Sequence, residues 1–199
     1  DCLFVTNGVG LAGVGPNYGG DHSYGSAVYA TTAPLTARNC KFISNHGTCR
    51  ESNMNGGAVR LEGAGNGSAF TNCLFAGNSD RCGWSYSATA GYHGGALLVK
   101  FSTTACTADV VNCTFAYNLA DGTTSAGGLN VYKGTVNAKN AIFFGNMVGK
   151  RIVSGSVKRY AGDIDVKAGG ICNLSYSMFS ANSTTSFDKA SGGVINLGE

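Results

Sequence analysis

Proline is almost absent from this chain, with 2 residues in 199. Charge is scarce as well: charged residues make up 13%, about half the usual share. The formal net charge of +3 is too small to argue for nucleic acid, and no polybasic run or aromatic-basic motif appears. No apolar run approaches the ~20 residues of a membrane span, so no direct span is expected. No apolar stripe of helical period lasts beyond a turn, which argues against a helical fold. No Cys-x-x-Cys pair occurs, which argues against a zinc site, and no metal or cofactor is expected. There is no initiator Met and no signal-peptide pattern, so the chain reads as a mature protein or an excised piece.

What the chain does have is glycine, 31 residues, and cysteine, 8 residues. The cysteines favour an oxidising, extracellular or cell-surface compartment. Sequons stand at Asn66, Asn112, Asn173 and Asn182, a weak signal in an Asn-, Ser- and Thr-rich chain.

The strongest signal is repetition. The chain reads DCLFVTN at residue 1, NCKFISN at 39, NCLFAGN at 72 and NCTFAYN at 112, with degenerate copies NAIFFGN at 140 and YSMFSAN at 176. Phe-x-x-Asn survives in all of them, at Phe4/Asn7, Phe42/Asn45, Phe75/Asn78, Phe115/Asn118, Phe143/Asn146 and Phe179/Asn182. A small-residue pair alternates with it: GSAV at 25, GGAV at 56, GGAL at 94, GGLN at 127, GDID at 162 and GGVI at 192. The Phe copies lie 38, 33, 40, 28 and 36 residues apart, a mean of 35. A repeat of that length decides the fold before any other feature.

Within NCKFISN, residues two apart share a face. The Cys and Phe positions therefore point inward and the residue between them outward. A unit of two or three short strands cannot bury its own Phe, but it can when stacked on a copy of itself. Parallel stacking at the ~4.8 Å strand spacing sets Phe over Phe. The expected fold is all-β: a right-handed parallel β-helix of about six coils of ~35 residues, with residues 1–199 as a single domain. The recurring Asn fits a turn, its amide bonding to the Asn or backbone of the next coil. The Gly pair fits another corner, where either positive φ or close backbone approach excludes a side chain. The residue after the pair is expected to face the core. Both ends read as uncapped, which fits a slice of a longer array or a subunit that stacks on itself end to end.

Gly-Gly-Ala-[Ile/Leu/Val] alternating with Phe-x-x-Asn resembles the repeat signature of the polymorphic outer membrane protein family. The resemblance covers essentially the whole chain, with GGAV, GGAL, FISN, FAGN and FAYN as close matches and GSAV, GGLN and GDID as departures. It implies a β-helical surface or secreted protein, often adhesive. Larger members are carried by an outer-membrane barrel, and no barrel segment is visible here.

Cys49 and Cys82 each lie seven residues after a Phe of adjacent repeats. Stacking puts them side by side, within the ~4.4–6.8 Å Cα separation that a disulfide needs, and a Cys49–Cys82 bond is expected. Cys2, Cys40, Cys73 and Cys113 form an inward column, whose members either pair or remain as small apolar residues. Cys106 and Cys172 sit two coils apart, too far to bond each other.

Function on a rigid scaffold sits in its loops. The spans after Phe alternate long and short, and the long ones are expected to project from one side. They carry Tyr18, His22 and Tyr24, then Arg81, Trp84, Tyr86 and Tyr92, then Lys150, Arg151, Lys158, Arg159 and Tyr160. This aromatic and basic ridge either binds a surface glycan, an acidic polymer or a protein, or only pins its own loops to the coil wall. Enzymatic β-helices that act on pectin need clustered carboxylates, and this chain has 11 acids in all. Asp163 and Asp165 are the one close pair; they share a strand face, which reads either as a weak metal site or, the favoured reading, as outward polar residues. The three histidines have no Ser, Cys or Asp partner at a readable spacing. The favoured function is a non-catalytic structural or adhesive module, with a polysaccharide lyase or hydrolase as the alternative.

Overall fold

In the computed structural model the phenylalanines of the repeat stand one above the next as a continuous stack. Ring centroids are 4.8 Å apart for Phe4–Phe42, 4.7 Å for Phe42–Phe75, 4.8 Å for Phe75–Phe115, 4.9 Å for Phe115–Phe143 and 5.2 Å for Phe143–Phe179. The rings lie within 7° of parallel. The structure describes residues 1–9, 27–49, 55–63, 65–82, 93–121, 126–151, 157–179, 187–189 and 193–198. Among them there is no helix, and the strands pair in parallel with a single antiparallel exception.

Among the described residues the first five repeats contribute to walls A, B, C and D in turn, and the sixth to walls A, C and D. Wall A holds the Phe strands Leu3–Val5, Lys41–Ile43, Leu74–Ala76, Thr114–Ala116, Ile142–Phe144 and Met178–Phe179, paired in that order with Phe opposite Phe. Wall B stacks Gly8–Val9, His46–Cys49, Ser79–Cys82, Leu119–Asp121 and Met147–Arg151. Its last strand, Val157–Ala161, folds back antiparallel onto Met147–Arg151. Walls C and D form one strongly curled 11-stranded sheet, because the long strand Leu129–Lys139 runs through both. Gly134 sits inside that strand at φ 106°, where a Cβ would lie 2.5 Å from the Phe101 ring.

Two corners per repeat use left-handed backbone. Between walls A and B stand Thr6, Ser44, Gly77, Tyr117 and Gly145, with φ from 51° to 62°. Between walls D and A stand Asn39, Asn72, Asn112, Asn140 and Tyr176, with φ from 49° to 54°. Asn tolerates this region because its short amide finds local partners. Here the amides form an exposed chain: Asn72 donates to Asn39, Asn112 to Asn72 and Asn140 to Asn112.

The Asn of Phe-x-x-Asn builds a second, buried ladder. The Nδ2 of Asn78 donates to Oδ1 of Asn118 at 2.9 Å and to the Phe42 carbonyl at 2.9 Å. Its Oδ1 accepts from the backbone N–H of Asn45 at 3.0 Å and from Asn45 Nδ2 at 2.9 Å. The pattern runs from Asn7 to Asn146, so the amides bond to the next repeat's Asn and to the previous repeat's backbone. Asn146 then donates to Oδ1 of Asp163 at 2.7 Å. Asn182 lies outside the described residues.

The small-residue pair excludes side chains by close approach and not by positive φ. A Cβ on Gly95 would lie 2.7 Å from the Leu119 carbonyl oxygen, and one on Gly127 would lie 2.6 Å from that of Met147. Three expectations about this motif are corrected. Leu129 pairs with Leu97 and with Ile164, and Ala126 with Gly94, so the fourth pair is Ala126-Gly127 and the fifth Ala161-Gly162, one residue earlier than GGLN and GDID. The sixth strand of wall C is Phe187–Lys189. GGVI belongs instead to wall D, where Val194–Leu197 pairs with Gly170–Ser175. The core lies between the walls and is filled by the Phe stack, Val59, Leu61, Leu97, Val99, Leu129, Val131, Ile164, Val166 and the small residues of wall D.

Candidate functional site

Of the residues proposed for the ridge, Tyr18, His22, Tyr24, Trp84, Tyr86 and Tyr92 lie outside the described residues. The others, Arg81, Lys150, Arg151, Lys158, Arg159 and Tyr160, fall in strands of wall B. Arg81 lies in Ser79–Cys82. Lys150 and Arg151 end one arm of the hairpin, and Lys158, Arg159 and Tyr160 form the other. The register sets Lys150 directly across from Lys158, Gly149 across from Arg159 and Val148 across from Tyr160.

Wall B alternates as a strand must. Ala120 and Val148 are buried, and Asp80 in their row is buried as well. The intervening row, His46, Ser79, Leu119 and Met147, faces a groove of about 220 Å³. The groove follows the corner between walls A and B, and Gly77, Asn78, Tyr117, Asn118 and Gly145 complete its lining.

Tyr117 dominates that corner and is 64% exposed. Its φ of 56° is costly for a bulky residue. Glycine stands at the same position in the repeats on either side, Gly77 and Gly145. A Cβ on Gly145 would lie 2.8 Å from the Tyr117 ring, so glycine there makes room for the tyrosine. The ring meets Phe144 edge-on at 5.3 Å. In the groove floor His46 Nδ1 and Ser79 Oγ are 2.8 Å apart. Sequence reasoning missed both features. The signal was present: His46 and Ser79 each follow the repeat Phe by four residues, so stacking superposes them.

A second polar cluster sits on wall C. Glu62 accepts from Tyr29 Oη at 2.7 Å and from Lys100 Nζ at 3.0 Å, and it pairs with Arg60. Burial works to raise the Glu62 pKa. The hydrogen bonds from Tyr29 and Lys100, with the charges of Arg60 and Lys100, outweigh it and hold the carboxyl below its ordinary value. Wall D carries a further concavity, lined by an amide ladder in which Asn196 donates to Asn173, Asn173 to Asn137 and Asn137 to Asp109.

Asp163 and Asp165 were expected on the surface and are buried. Asp163 terminates the inner Asn ladder, and Asp165 forms an ion pair with Lys167 and accepts from Asn130. A buried carboxylate persists when such partners compensate its lost hydration.

Cys40, Cys73 and Cys113 form the inward column as free thiols, while Cys2 is exposed. Contact with Cys73, together with burial, pushes the Cys113 thiol up, and burial pushes Cys172 up to about 12. Both therefore stay protonated at neutral pH. Cys82 pairs directly with Cys49 in adjacent parallel strands, a register that places their Cα atoms at the ~4.8 Å strand spacing. Air-oxidised protein should yield a Cys49–Cys82 linked peptide by non-reducing mass spectrometry. Reduction should then cost about 2–4 kcal/mol of stability. Recovery of both residues as alkylated free thiols would exclude the bond.

A scan of family models, a search of curated proteins and a search of solved structures each find no match to this chain.

Proposed function

We propose that this chain is a right-handed parallel β-helix module that serves as a non-catalytic, extracellular or cell-surface adhesive scaffold. The observation that carries the reading is the ladder system. The Phe stack and the buried Asn chain run through successive repeats, and each is satisfied only by the repeat above and the repeat below. Such an interior stiffens the stack along its axis and leaves the outer walls free to vary. The buried carboxylates Asp163 and Asp165 are engaged in structural bonds, which favours this reading over a lyase or hydrolase, whose carboxylates must face substrate. The likeness to polymorphic outer membrane protein repeats points the same way, towards an adhesive surface protein.

The test is to couple the purified chain to beads and pass cell-wall and cell-surface polysaccharides over them. Retention of polysaccharide without new reducing ends or unsaturated products is the expected result. Release of shortened product would overturn the non-catalytic reading.

A further inference from the structure

We propose that Lys167, Asn130 and Asp165 form an amide cross-link within the chain. The Lys167 amine displaces the side-chain nitrogen of Asn130, Asp165 serves as general acid and base, and ammonia leaves. The product is a covalent tie between two neighbouring repeats. It stands apart from the adhesive reading, because its substrate is the chain itself.

The first argument is placement. Asn130 and Asp165 are partners in adjacent parallel strands of wall C. Lys167 comes two residues after Asp165, and its N–H still donates to the Val131 carbonyl at 2.9 Å, so the strand's alternation sets it on the face of Asp165. That is the outer face, since Val131, Ile164 and Val166 belong to the core. Lys167 stands diagonal to Asn130, roughly 8 Å away at the backbone by strand geometry and within a lysine's reach. Lys167 Nζ lies 2.5 Å from Asp165 Oδ2, and Asn130 Nδ2 donates to the same oxygen at 3.4 Å. The amine and the amide are therefore no further apart than those two contacts laid end to end.

The second argument is burial. Asn130 and Asp165 are 0% exposed and Lys167 is 8% exposed. In water an ammonium ion does not attack, and a carboxamide is inert. Here one proton moving from Nζ to Oδ2 turns the ion pair into an amine and a carboxylic acid, and neither then carries a charge that burial penalises. A lysine amine without its proton is a nucleophile. Fixed neighbours also replace a chance encounter, which raises the effective concentration of the amine by orders of magnitude.

The chemistry balances within these three side chains. A turn of the Asn130 amide about its last side-chain bond brings its oxygen to the Asp165 proton. The Nζ lone pair attacks Cγ as that proton passes to the oxygen, and Asp165 then takes a proton from Nζ. Asp165 delivers this proton to Nδ2, the Cγ–Nδ2 bond breaks and ammonia departs. The hydroxyl proton returns to Asp165 as the carbonyl re-forms. One C–N bond is made and one is broken, with no oxidation or reduction. The new bond holds Leu129–Lys139 to Ile164–Val166, which the backbone ladder alone joins otherwise.

The experiment is intact-mass spectrometry of the reduced, denatured full chain, followed by tryptic mapping. The chain should be lighter than its sequence by one ammonia. Trypsin should fail to cut after Lys167 and should release residues 101–133 joined to residues 160–189 as one branched peptide. Lys167→Arg keeps the charge but supplies no attacking amine, and Asp165→Asn removes the acid. Both variants should show their full sequence mass, with circular dichroism confirming that the β fold is kept. The wild-type mass and map decide the bond even where a variant misfolds. Ring closure at Asn7-Gly8, Asn55-Gly56 or Asn66-Gly67 also loses ammonia, but it leaves every peptide unbranched and Lys167 cleavable. Full mass with normal cleavage after Lys167, an unbranched loss of ammonia, or a cross-link that survives in Asp165→Asn would overturn the proposal.

Discussion

Asn118→Ala should leave the protein barely folded. Asn118 is fully buried and makes four bonds. It accepts from the backbone N–H and Nδ2 of Asn78 at 3.0 and 2.9 Å, and it donates to the Phe75 carbonyl and Asn146 Oδ1 at 3.0 and 2.9 Å. Truncation strands these partners away from water, and each orphan costs about 1–3 kcal/mol. The expected loss is on the order of 4 kcal/mol or more, against a typical total of about 5–15 kcal/mol. The control is Asn112→Gly on the exposed ladder. It keeps the residue's φ of 54° accessible and should cost no more than about 1 kcal/mol, because water replaces both lost ladder bonds, to Asn72 and from Asn140. Urea denaturation of the two variants reads the difference directly. Equal losses would mean that the inner ladder adds nothing beyond an ordinary surface amide.

Asn118→Asp is a sharper probe of the same site. The carboxylate still accepts from Asn78, but it can no longer donate to Phe75 or Asn146. Two acceptors would then face a buried charge, so its folded pKa must rise above the unfolded value of about 3.9. The penalty is therefore smallest at low pH, where the acid is protonated in both states. It grows as pH climbs past the unfolded pKa and stops growing above the folded one.

The second large effect is Phe75→Ala. Phe75 is fully buried between Phe42 and Phe115, and Phe70 meets it edge-on at 5.8 Å. Removing the ring should cost about 3–5 kcal/mol, since rigid walls held by hydrogen bonds cannot collapse into the gap. Phe4→Ala should cost less, because Phe4 is half-buried and stacks on one neighbour among the described residues. Phe75→Leu should recover most of the loss. Melting temperatures of the three variants rank them. A Phe75→Ala protein as stable as Phe4→Ala would show that the stack is not what fills the core.

Much of this was readable because parallel stacking turns sequence period into spatial neighbourhood. A residue at a given repeat position touches the same position one repeat away. Phe over Phe, Asn bonded to Asn and Cys49 opposite Cys82 all follow from counting. The same arithmetic would have found His46 against Ser79, had it been applied to the residue after each Asn.

Counting failed where two registers satisfy the same local demand. The Gly-Gly motif needs only a missing Cβ against a carbonyl, and Ala126-Gly127-Gly128 offers that in either of two frames. The frame was decided by pairing Leu129 with Leu97 in the core. GGVI was misplaced for the same reason, because a Gly193 Cβ also meets backbone, but that of Val166 and Lys167. Asp163 looked like a surface residue because its partner, Asn146, is 17 positions away and off the repeat period.

By itself the sequence determined the repeat unit, the parallel all-β stacking and the residues of the two interior ladders, because these depend on identical positions meeting one another. Only the tertiary structure decided the frame of each glycine pair, the antiparallel return of Val157–Ala161 and the groove beside Tyr117. Each of those depends on unlike positions meeting across a corner or a sheet edge, where no period in the sequence records the contact.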